Sequence, residues 1–184
     1  MFIQTDTTPN PDSLKFIPGC IVLEKGVLSF DQDSDCEGSP LARQLLDIEG
    51  IISVFFAQDF ITLTKESDIE WGHLKPFVMA LLMEHFGAGF LAVQTNDAQK
   101  TANPVTEETD PVIRQIKDII ETRVRPAVAS DGGDISFERF EDGIVYLKLQ
   151  GACSGCPSSS ATLKSGIENM LRYYVPEVLE VRAA

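Results

Sequence analysis

The chain has 184 residues, of which 43% are apolar and 23% charged, a balance that suits one medium or two small soluble domains and excludes a disordered chain. Its apolar runs at residues 51–57 and 77–83 are too short to span a bilayer, and residues 1–6 lack the basic and apolar regions of a secretory signal. A net charge of −13 repels nucleic-acid phosphates and anionic lipid, so neither nucleic acid nor a membrane is an expected partner.

The acidity is uneven. Residues 1–97 hold five Lys/Arg against fifteen Asp/Glu, or −10, whereas residues 110–184 hold nine against eleven, or −2. A solvated surface accounts for the acidic half most simply, with docking of basic partner proteins as the other reading. Four cysteines are too few for a disulfide framework, so a reducing compartment is expected: a bacterial cytoplasm, or the mitochondrial matrix for a matured chain.

The pattern predicts two small α/β (α+β) domains, residues 1–95 and 110–184. In the first, strands are expected at residues 1–5, 14–17 and 21–23. Ser39-Pro40-Leu41 reads as a cap followed by a short helix through Leu46. Residues 51–56 and 60–64 flank Ala57-Gln58-Asp59 as a hairpin. A helix lies between Asp68 and Phe86 with Trp71, Leu74, Val78, Leu81, Leu82 and Phe86 inward, and Pro76 either kinks it or begins its longer part.

Residues 96–109, polar and without period, read as a flexible linker. Beyond it Asp110 caps a helix beginning at Pro111, and Val112, Ile113, Ile116, Ile119, Ile120 and Val124 share one face. Pro126 should kink or loosen its last turns, and Asp131-Gly132-Gly133-Asp134 ends it. Strands at 135–140 and 144–149 form a hairpin. After Cys153-Ser-Gly-Cys156-Pro157 a helix carries Leu163, Ile167, Met170, Leu171 and Tyr174, Pro176 stops it, and residues 178–182 form a closing strand. The second domain thus reads α-β-β-α-β.

Cys153 and Cys156 carry the chemistry. They sit between a strand and a helix N-terminus, whose free N–H groups and dipole lower a nearby thiol pKa. Two thiolates are half of what zinc or an iron–sulfur cluster normally takes. Three readings follow: a thiol–disulfide oxidoreductase, a zinc site shared between two chains, or an iron–sulfur cluster bridged across a homodimer. A thioredoxin-like fold needs most of its domain after the CxxC, and only 28 residues follow Cys156 here. A cluster at a two-fold interface is exposed and labile, which suits transfer, so the bridged cluster leads.

Residues 125–134, 149–158 and 162–168 closely resemble the C-terminal NifU-type domain. Thr8-Pro9-Asn10-Pro11, Leu14-Lys15-Phe16, Ser39-Pro40-Leu41-Ala42 and residues 60–65 resemble the Nfu N-terminal domain. The resemblance implies a non-enzymatic scaffold or carrier that binds a [4Fe–4S] cluster, with [2Fe–2S] the alternative, through Cys153 and Cys156. Upstream cluster donors and apo iron–sulfur recipient proteins would be its partners, and the N-terminal domain would serve recognition. Cys20 and Cys36 lie outside the ligand pattern. His73 and His85 read as helix residues rather than ligands, Asp131 and Asp134 as part of a helix stop, and Lys148, Lys164 and Arg172 as solvated.

Overall fold

The computed structural model describes residues 2–93, 110–154 and 157–184, with the side chains of 155–162 left aside. The expected linker lies outside the described residues. The chain divides into two compact units, Met1–Ala102 and Asn103–Ala184.

Unit 1 is an antiparallel five-stranded sheet in the order β1-β2-β5-β4-β3, with β1 Gln4–Thr7, β2 Ser13–Ile17, β3 Leu28–Asp31, β4 Ile51–Phe56 and β5 Ile61–Lys65. Helices α1 (Pro40–Leu46) and α2 (Trp71–Gly87) complete it. Phe16, Val54, Phe56, Ile61 and Leu63 from the strands join Leu41, Leu45, Val78 and Leu82 from the helices in one core. Ser39 caps α1 as expected, its Oγ accepting the Ala42 N–H at 3.2 Å while donating to the Ala92 carbonyl at 2.6 Å. Leu74, Val78, Leu82 and Phe86 are buried along α2, and Trp71 and Leu81 are half-buried against the same core. Pro76 sits inside α2, exposed near its start, and the helix continues through it.

Two expectations are corrected here. The first strand is Gln4–Thr7 rather than residues 1–5, its ladder with β2 starting at Gln4 opposite Ile17, and Ile3 before it is buried at 2% exposure. Residues 21–23 form no strand. Val22 and Leu23 both donate to the single carbonyl of Gln58, so no ladder develops. The strand in that region is β3, which begins two residues after Gly26 (φ +75°) and pairs with β4.

Unit 2 has the predicted order. Asp110 accepts the Val112 N–H at 2.9 Å and opens α3 (Pro111–Ile119). Pro126 has no N–H to donate and its ring crowds the carbonyl one turn back. The helix accommodates it by widening into a π-turn over Ile120–Val124, closed by the Arg125 N–H on the Ile120 carbonyl, before α4 (Arg125–Ser130). Gly132 (φ +81°) then reverses the chain into β6 (Gly133–Glu141). An Asp142-Gly143 turn, both residues at positive φ, joins β6 antiparallel to β7 (Ile144–Gly151). Helix α5 (Pro157–Tyr174) crosses over to β8 (Glu180–Ala183), which pairs parallel with β7. Ile116, Ile120, Val124, Ile135, Leu147 and Leu171 are among the side chains that fill the core beneath.

Candidate metal centre

Cys153 lies just past the end of β7, two residues after Gly151 (φ +67°), which turns the chain out of the ladder. A hydrogen bond from the Ser154 N–H to the Gly151 carbonyl (3.0 Å) tightens the turn. Another, from Ala152 N–H to the Gly132 carbonyl (3.2 Å), ties it to the stop of α4. The loop that carries the cysteine and the loop that ends the helix are therefore one connected structure.

The thiol itself rests on Gly133. A methyl group at that position would stand 2.7 Å from Cys153 Sγ and 2.7 Å from the Gln150 carbonyl oxygen. Glycine is needed there for close approach, whereas Gly132 is needed for its positive φ. Cys153 is 6% exposed and belongs to the unit's core. Cys156 lies outside the described residues. Among the described residues no group of three or more His, Cys, Asp or Glu is arranged to hold a metal ion.

The carboxylate nearest in sequence to this floor, Asp134, is held by Arg125. The guanidinium takes it in a bidentate pair, Nε to Oδ1 at 2.7 Å and Nη2 to Oδ2 at 3.0 Å, and reaches Glu121 Oε2 at 2.7 Å with its third nitrogen. Asp134 is 5% exposed. These hydrogen bonds, Asp134's first, push the Arg125 pKa up against the opposing effect of burial, so the cation is permanent. The expectation that Asp134 serves the helix stop is therefore incomplete: it also pins the start of β6, and with it Gly133, under the thiol. Neither Gly133's contact with the thiol nor the Arg125–Asp134 pair was identified from the residues alone. The signal was the doubled glycine, one more than a helix stop requires.

The structure gives the other candidates different surroundings. His73 is exposed on α2. His85 bonds the Leu91 carbonyl at 2.9 Å and packs edge-on against Phe86 and at a tilt against Phe90. Cys20 and Cys36 are both in unit 1, and burial pushes each thiol above its ordinary pKa. Lys164 lies 3.7 Å from Glu180 and Arg172 3.2 Å from Glu168, so both are paired at the surface.

Residues 116–182 match the family model for the NifU-like domain, and residues 3–89 match the model for the scaffold protein Nfu/NifU N terminal. The chain is 52% identical over 179 residues to the human "NFU1 iron-sulfur cluster scaffold homolog, mitochondrial", an alignment covering 97% of this chain and 70% of that protein. It is 51% identical over 183 residues to "NifU-like protein 4, mitochondrial" of Arabidopsis thaliana, covering 97% of this chain and 64% of that one. Among solved structures, a NifU-like protein from Saccharomyces cerevisiae superposes with a TM-score of 0.48 at 25% identity, over 52% of this chain and 86% of that chain. The chain spans about two thirds of the length of these curated relatives. With both halves matched in order and about half of all residues identical along nearly its whole length, this protein belongs to the Nfu family of NifU-like iron–sulfur cluster scaffold proteins.

Proposed function

We propose that the chain assembles or carries iron–sulfur clusters, holding a [4Fe–4S] cluster as cargo on Cys153 and Cys156 and passing it to apo-proteins. The observation that carries this reading is the thiol of Cys153 seated on a glycine where any Cβ would collide, at the end of a strand leading into α5. The backbone there is shaped around a sulfur. Neutralisation of Asp134 by Arg125 also keeps an uncompensated carboxylate away from thiolates that must carry negative charge together.

One chain contributes two thiolates, so the remaining two come from a second copy across a two-fold axis. Loading requires the loop to turn Cys153 outward from its buried position. Transfer is an exchange of ligands. Each incoming recipient thiolate forms a sulfur–iron bond as one from Cys153 or Cys156 breaks, and the departing thiolate takes up a proton. Iron and sulfide keep their oxidation states, and no covalent substrate bond is turned over, which is scaffold chemistry rather than enzyme chemistry. A linker over residues 96–109 would let unit 1 engage a partner while unit 2 holds the cluster. The relatives' names carry the word mitochondrial, which favours a mitochondrial location for this chain over a bacterial cytoplasm. No described helix is long and apolar enough to cross a membrane.

Anaerobic reconstitution should yield about four iron and four sulfide per two chains, with broad thiolate-to-iron absorption. Cys153→Ser or Cys156→Ser should abolish both iron binding and iron-dependent dimerisation, and Cys20→Ser neither. About two irons per dimer would assign a [2Fe–2S] centre instead. Full iron content in a strict monomer without added thiol would defeat the bridged arrangement. A metal-free Cys153–Cys156 disulfide that turns over a disulfide substrate would favour the oxidoreductase.

A further inference from the structure

Helix α2 is apolar on the side that faces away from its own core. Leu74, Val78, Leu82 and Phe86 point inward, yet the opposite face carries Pro76, Phe77, Ala80 and Met83, with Phe77 67% and Met83 41% exposed. Glu84 and the exposed His73 are the polar side chains on that outward face. A helix apolar on both sides is ordinarily covered on both.

The charge around this face says what covers it. Glu66, Asp68 and Glu70 are exposed at its N-terminal end, and Glu84 lies near its C-terminal end. The cations of unit 1 are largely engaged. Lys65 bonds Asp12 at 2.9 Å, Arg43 pairs with Asp47 at 3.5 Å, Lys75 donates to Thr5 at 2.7 Å, and Lys15 lies over the Phe60 ring. Residues 1–97 carry −10, so a second copy of this half would meet like charge, and an anionic lipid surface would be repelled.

We propose that the outward face of α2 is a docking site for a separate protein that presents an apolar surface bordered by lysine and arginine. This rests on the scaffold reading for one point: the partner is then a donor or recipient of the cluster. Apolar contact along Pro76, Phe77, Ala80 and Met83 supplies affinity, and the acidic ends set orientation and speed encounter.

The test titrates the full chain into a dye-labelled synthetic amphipathic leucine–lysine helix and into its leucine–glutamate analogue, following the fluorescence anisotropy of the peptide. The lysine peptide should bind saturably and the glutamate analogue should not. Phe77→Ser with Met83→Ser should weaken binding about tenfold and Glu84→Lys about threefold. Both variants should keep the far-ultraviolet circular dichroism spectrum and the iron loading of the parent chain.

Equal binding of the two peptides, or an unchanged affinity in the double variant, overturns the proposal. So does an apo dimer in sedimentation velocity that Phe77→Ser dissociates, since the second copy would then be the occupant. A Met83 methyl shielded from a soluble paramagnetic chelate in the free monomer overturns it as well, because the chain's own other unit would be the cover. Failure of the scaffold reading shows separately, as absence of iron in the parent chain.

Discussion

Replacing Gly133 by alanine isolates one contact at the candidate site. Gly133 does not have a positive φ, so alanine brings no backbone strain. What it brings is a methyl carbon 2.7 Å from two atoms, the Gln150 carbonyl oxygen and Cys153 Sγ. The oxygen belongs to the strand paired directly with Gly133, where Gly133 faces Gly151 and Asp134 faces Gln150, so it moves only if the ladder opens. The sulfur ends a rotatable side chain and can swing away from the added methyl. Overpacking of this kind costs about 1–3 kcal/mol. The expected result is a lower urea midpoint for unit 2, read from its tyrosines, together with faster reaction of Cys153 with a thiol reagent. Gly166→Ala is the control. Nothing lies within 4 Å of the added methyl, it sits within α5, and it should stabilise by roughly 0.5–1 kcal/mol. If Gly133→Ala matches the parent chain in both midpoint and thiol reactivity, the reasoning that Gly133 forms the floor under the thiol is refuted.

Two further outcomes test the frame around the site. Hydrogen bonds from Lys65 and then Ser67 hold the Asp12 carboxyl below its ordinary 3.8. A lowered carboxylate pKa adds stability that is present above 3.8 and is lost as pH falls through the lower folded value. The stability of unit 1, followed by Trp71 fluorescence, should therefore decline below about pH 4, and Asp12→Asn should flatten that decline while losing about 1–3 kcal/mol at neutral pH, because buried Lys65 loses its counter-charge and keeps only the Glu66 carbonyl. An unchanged acid profile in Asp12→Asn would remove Asp12 as its source. In unit 2, Glu168 accepts the Val181 N–H at 3.1 Å and Arg172 donates to the Leu179 carbonyl, so an i,i+4 pair on α5 occupies backbone groups along and just before β8. Glu168→Ala should speed amide exchange at Val181 and lower stability by about 1 kcal/mol, and protection equal to the parent chain would show the bond to be immaterial.

The sequence by itself determined the order of elements in unit 2 and the place of Cys153 within it, because those signals are local. Asp110-Pro111 caps and starts a helix through neighbouring atoms alone, Asp142-Gly143 forces a two-residue turn, and the apolar periods of 3.6 and 2 report burial directly. Pro126 announced a disturbance, but whether the helix would kink or widen depended on what packs around Ile120 and Val124, and only the folded unit chose the π-turn. The same division separates β3 from residues 21–23. Both are short apolar stretches, and only the availability of β4's free edge decides which becomes a strand. At the site, the residue types were legible while their arrangement was not. Gly133 and Cys153 are twenty positions apart and meet through the pairing of β6 with β7, while Arg125 on α4 reaches Asp134 at the start of β6 across a helix stop. A pattern of spacings records which side chains a stretch can bury. Which distant backbone a sulfur comes to rest against is settled only when the sheet closes.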